Sequence, residues 1–158
     1  MTPDLLAELS RLPLFPRSAR ELIAVAGIEA AALLITAWPG AVWPVPARVG
    51  GGNPAGARRW AQLVEIVGEP AATRIVQWSP GGELFVPNLK EVIWSRNQDL
   101  IRADFDRLTV ANGYSLREAV FELGIKYGCS HTAVERALKR PDNVRGEAAW
   151  VAVQGALF

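Results

Sequence analysis

The sequence predicts a mostly α-helical fold. An internally duplicated helix–helix–strand region, closed by a short two-stranded β-ribbon, precedes a long connecting helix and a C-terminal helix-turn-helix. Three observations predict it: apolar residues recur at helical spacing, two stretches of the chain align with each other without a gap, and capping and glycine signals punctuate the helices.

The duplication comes first along the chain. ELIAVAGIEAAALLITAWPGAVWPVP aligns with QLVEIVGEPAATRIVQWSPGGELFVP, Leu22 on Leu63, at a constant offset of 41. Gly27 falls on Gly68, Ala30 and Ala31 on Ala71 and Ala72, Pro39-Gly40 on Pro80-Gly81, and Val45-Pro46 on Val86-Pro87. Each copy (22–46 and 63–87) reads as a helix cut at glycine, a second short helix stopped by Pro-Gly, and a brief strand ending at proline. The strands are expected at 41–45 and 83–86, pairing with each other. Two copies are too few for a solenoid, so a pseudo-twofold pair is expected. Residues 46–56, PARVGGGNPAG, read as a flexible connection.

The apolar run 22–38 is the most membrane-like stretch. It is short for a span of about 20 residues and contains Glu29. Its aligned copy carries Glu65, Arg74 and Glu83, so both read as buried helices and no membrane partner is expected. Trp38, Trp43, Trp60 and Trp78 are expected in the core. The first residues carry Asp4 and Glu8 and do not read as a signal peptide.

Helix starts follow from spacing. Ser18 with Glu21, and Ser115 with Glu118, read as capping boxes, and Asn88 with Glu91 as a similar start. After Asn88 a long helix is expected to about Arg107, with Val92, Ile93, Leu100, Ile101 and Phe105 as its apolar stripe. The linker LTVANGYS follows. A helix from Ser115 to about Tyr127 would bury Leu116, Val120, Leu123 and Tyr127. Gly128 stops it, and Ser130 caps a last helix with Val134 and Leu138 inward. The expected regions are therefore 1–87, 88–145 and an apolar tail, 146–158, that folds back on the body or docks on a partner.

A net charge of +1 rules out a global basic field, so any nucleic-acid site must be local. Residues 126–145 supply one: five basic side chains against two acidic. In a helix-turn-helix the start of the second helix enters the major groove of double-stranded DNA. Thr132 and Arg136 are candidates for base edges, and His131 and Glu135 share that outer face. Ser130 suits a phosphate at the helix N-terminus. Lys126, Lys139, Arg140 and Arg145 are candidate phosphate contacts, as is Arg117 near the start of the preceding helix. The lone Cys129 excludes an internal disulfide and fits a reducing, cytoplasmic setting. It reads as a small core residue. Nothing assembles a nucleophile, a base and a pocket, so no catalysis, metal or cofactor is expected.

From Glu69 to Arg140 the chain resembles the Mor transcription activators of Mu-like phages. PGGELFVP stands where that family has a Gly-Gly turn and short strand. IRADF at 101–105 follows, and then Tyr127-Gly128, Ser130, Val134 and ALKR at 137–140. The resemblance implies a phage-encoded activator that binds promoter DNA as a dimer and works with bacterial RNA polymerase in the host cytoplasm. It makes the helix from Ser130 to Lys139 the recognition helix and the Glu69 to Val86 stretch a dimerisation surface. The extra copy at 22–46 departs from the family. It is expected to act as an intrachain pseudo-dimer in place of a homodimer, or else the chain still dimerises through the pair and binds a palindrome. A repressor with the same DNA head, and a phage assembly or packaging adaptor, are the alternative readings.

Overall fold

A computed structural model describes residues 1–140. The chain is mostly helical with one small antiparallel sheet. Its order is α1 (Pro3–Leu9), α2 (Arg17–Ala26), α3 (Ile28–Ala37), β1 (Val42–Pro44), α4 (Pro54–Val67), α5 (Glu69–Trp78), β2 (Glu83–Phe85), α6 (Lys90–Asp106), α7 (Leu116–Tyr127) and α8 (His131–Lys139). Two compact units divide at Val92, inside α6. The apolar tail and Arg145 lie outside the described residues.

In the first unit, glycine decides where helices break. Gly27 (φ 88°, ψ 158°) and Gly68 (φ 79°, ψ 161°) each end one helix and begin the next. That backbone region is almost closed to residues with a Cβ, so the helix cannot run through. The N–H of each still closes the preceding turn, Gly27 on Ile23 at 2.9 Å and Gly68 on Val64 at 2.8 Å.

Burial follows the offset of 41. Leu22 and Leu63, Leu34 and Ile75, Ile35 and Val76, and Val45 and Val86 are all buried. Each such side chain contributes roughly 1.5–3 kcal/mol of transfer free energy. α2 packs on α3 and α5, and α4 packs on α5 and α3. β1 pairs with β2 in the register Val42 to Phe85, Trp43 to Leu84 and Pro44 to Glu83. Val86 N–H donates to Ala41 at 2.8 Å and Val45 N–H to Gly82 at 2.9 Å, two bonds that exchange under the same offset. The strands are shorter than expected because proline and turn geometry end the regular ladder, yet Ala41, Val45 and Val86 still take part in its bonds.

The two halves differ in detail. α1 packs on α3. Arg74 occupies the position that corresponds to Leu33, and its guanidinium donates to Val25 O at 3.2 Å and Ala26 O at 2.7 Å, capping the end of α2.

Several expectations are corrected. Ser18 caps nothing: α2 starts at Arg17 behind Pro16, whose φ of −64° presets the entry, and Arg17 pairs with Glu21 at 2.8 Å. The 46–56 connection is shorter and tighter than a flexible linker. Asn53 caps α4 through Gly56 N–H at 2.7 Å, and a Cβ on Gly56 would meet Gly51 O at 2.1 Å. Trp43 is buried and stacks on Trp38 at 5.2 Å, but Trp78 is 52 % exposed rather than in the core.

In the second unit, Ile101, Val120, Leu123, Val134 and Ala137 form the core, with Trp94, Phe105, Leu108, Tyr127, Cys129 and Leu138 packed around it. α6 reaches Asp106 as expected and continues as a π-helical turn, Arg107–Ala111, closed by Asn112 N–H on Arg107 O at 3.2 Å. Much of the expected linker is therefore helical. Leu116 is 65 % exposed, because the first turn of α7 lies beyond this core.

Candidate nucleic-acid interface

The hairpin of α7 and α8 is assembled from local signals. Ser115 and Glu118 form a complete capping box: Ser115 N–H donates to Glu118 Oε2 at 2.9 Å, and Glu118 N–H to Ser115 Oγ at 3.3 Å. The Ser115 hydroxyl, and then its N–H, hold the Glu118 carboxyl below its usual range. Gly128 ends α7 in the left-handed conformation, φ 60° and ψ 37°, and Cys129 N–H returns to Gly124 O at 3.0 Å. Gly124 allows this close return, since a Cβ there would stand 3.1 Å from Cys129 O, a tight contact. Ser130 Oγ then accepts from Ala133 N–H at 3.2 Å and opens α8.

The hairpin is tied to α6 by polar anchors. Arg102 donates to Ala137 O at 2.9 Å, satisfying a carbonyl in the last turn of α8, and pairs with Asp99. Arg140 donates to Gln98 Oε1 at 2.7 Å, and Gln98 is buried. Asp104 accepts from the Tyr127 hydroxyl at 2.7 Å, from Arg107 at 2.7 Å, and from Lys126. Lys126 is the main reason its carboxyl titrates below the ordinary value.

These contacts sort the candidate residues. His131, Thr132, Glu135, Arg136 and Lys139 are all exposed on α8. Thr132, Arg136 and Lys139 fall at i, i+4 and i+7 and form one row about 10 Å long. That length matches about three base-pair steps of 3.4 Å. His131 Nδ1 lies 3.8 Å from Glu135 Oε1 on a neighbouring row. Ser130 is exposed, and its oxygen caps the helix.

Lys126 and Arg140 are not loose cations: the first lies against Asp104 and the second reaches back to Gln98. Arg117 is exposed in the first turn of α7, and Arg145 lies outside the described residues. Cys129 is half-buried, and burial pushes its thiol upward, the reverse of what an activated nucleophile needs.

Sequence reasoning missed the anchors Gln98, Arg102 and Asp104. IRADF was the available signal: Ile101 fills the core, Arg102 holds the end of α8, Asp104 holds the end of α7, and Phe105 packs on the core. Among the described residues no helix is long and apolar enough to cross a membrane. Compared with protein-family models, curated proteins and solved structures, the chain matches none.

Proposed function

We propose that the chain is a sequence-specific DNA-binding transcription regulator in which α7, the Gly128 turn and α8 form a helix-turn-helix and α8 is the recognition helix. The observation that carries this reading is the exposed row Thr132, Arg136 and Lys139 on a short, Ser130-capped helix whose inner side is buried on α6 and α7. An α-helix with its side chains is about 10–12 Å across and fits a major groove about 12 Å wide. Arg136 is placed to donate to a guanine edge, Thr132 contacts a neighbouring base, and Lys139, Arg117 and the Ser130 hydroxyl take phosphates. Activation through bacterial RNA polymerase, a phage origin and a place in the host cytoplasm rest on the resemblance to Mor activators alone.

The first unit is an internal duplication about a pseudo-twofold axis that passes between Trp43 and Leu84. The exchanged bonds at Ala41–Val86 and Val45–Gly82, and the matched breaks at Gly27 and Gly68, support this. Both strands of the ribbon come from one chain, so one DNA head serves each ribbon and the protein reads a single half-site as a monomer. Selection from a randomised duplex pool at near-physiological salt tests both readings. An enriched single half-site is expected. A palindrome would mean a homodimer, and no enrichment would favour a phage assembly or packaging adaptor.

A further inference from the structure

Among the described residues, none covers an apolar surface on the α7–α8 hairpin. Phe121 and Ile125, one turn apart on α7, are 63 % and 65 % exposed. A hollow of about 290 Å³ lies beside them, lined also by Val120, Gly124, Cys129 and His131. Phe121 also borders a second hollow, with Tyr114, Glu118 and Glu122. Aromatic and aliphatic side chains grouped in this way mark a surface that something covers.

We infer that the chain's own segment 148–158 docks there. Its sequence, AAWVAVQGALF, carries no charge and offers Trp150, Val151, Val153, Leu157 and Phe158. Residues 141–147, PDNVRGE, connect it to the end of α8. α8 runs nine residues from His131 to Lys139, so the hollow beside His131 lies about 13 Å from where the connector begins. Seven connector residues span up to about 23 Å, enough to return along the helix. A segment on such a tether is present at an effective concentration of order millimolar, well above that of a second copy in dilute solution. The docking does not depend on whether α8 reads DNA.

Cys129 lines the hollow and is the chain's one cysteine, so its alkylation by iodoacetamide reports the cover directly. A surface covered nine-tenths of the time is alkylated about tenfold more slowly than an open one. The full-length chain is therefore expected to react about tenfold more slowly than its Trp150→Ser/Val153→Ser variant of equal helical circular dichroism, with a rate constant independent of protein concentration. Equal rates overturn the inference. So does protection that disappears on dilution, which identifies a second copy as the cover. A measurement on the undisturbed tail is a photo-crosslink from p-benzoylphenylalanine at position 125 of the full chain. Intramolecular crosslinks to 148–158 are expected, and crosslinks only between chains, or none to that segment, overturn it.

Discussion

The Tyr127 hydroxyl donates to Asp104 Oδ2 at 2.7 Å, joining the last turn of α7 to the last turn of α6. Burial, and then this bond, push the Tyr127 phenol up to about 12. The folded chain therefore holds the Tyr127 proton more tightly than the unfolded chain. Its contribution is complete below the ordinary phenol value of 10 and is lost as pH rises through about 12. Absorbance titration of the Tyr114→Phe protein, which leaves Tyr127 as the only tyrosine, is expected to show a midpoint near the upper figure. Tyr127→Phe should cost about 1 kcal/mol in urea unfolding at neutral pH.

Asp104 works in the opposite direction. Its folded value is lowered, chiefly by Lys126, so its contribution is present above the ordinary value of 3.8 and is lost as pH falls through the lowered one. Thermal melts of the native protein should show Tm falling across that acid range. In Asp104→Asn the fall should flatten, and Tm at neutral pH should already be reduced.

Gly128 stands at φ 60° with open space where a side chain would point. Its replacement therefore tests backbone cost alone. Gly128→Ala should destabilise the chain by about 1–2 kcal/mol in chemical denaturation without blocking folding.

Arg140 distinguishes an anchor from a DNA contact. Arg140→Met leaves the buried Gln98 oxygen without its donor and should cost about 1 kcal/mol of stability. Unchanged unfolding with a reduced salt slope of DNA binding would instead make Arg140 a phosphate contact.

On α8 itself, the proposed base and phosphate roles separate cleanly. Arg136→Ala should lose about 1–3 kcal/mol of discrimination at one base pair. Lys139→Ala should weaken binding to all duplexes alike and reduce the salt slope by about 1. Fluorescence anisotropy across a salt series, on selected and scrambled duplexes, measures both.

The helix breaks and the α7–α8 turn were legible in the sequence because each follows from a residue with one strong local preference. Gly27 and Gly68 occupy backbone regions almost closed to residues with a Cβ, Gly128 occupies the left-handed region that favours glycine, and Ser115 and Ser130 cap as their spacing suggests. The same spacing misled at Ser18 and Glu21, because Pro16 had already preset the entry of α2. The polar anchors were not legible. Lys126 and Arg140 read as free cations when counted along the chain, and their partners Asp104 and Gln98 lie on α6, 22 and 42 residues away. Such pairs come from helix packing, which local spacing does not encode. The exposure of Leu116 has the same origin: periodicity gives a face but not where the neighbouring helices stop covering it.

Arg74 and Leu33 occupy corresponding positions, yet only Arg74 caps a helix end, donating to Val25 and Ala26. When a paired ribbon is built from two identical chains, every substitution appears twice, and a residue that suits one side must also be tolerated on the other. A ribbon whose strands share one chain is free of that requirement. Each half can change alone, so one can keep its packing while the other acquires new contacts. Arg74 is a point where the two aligned stretches differ in this way.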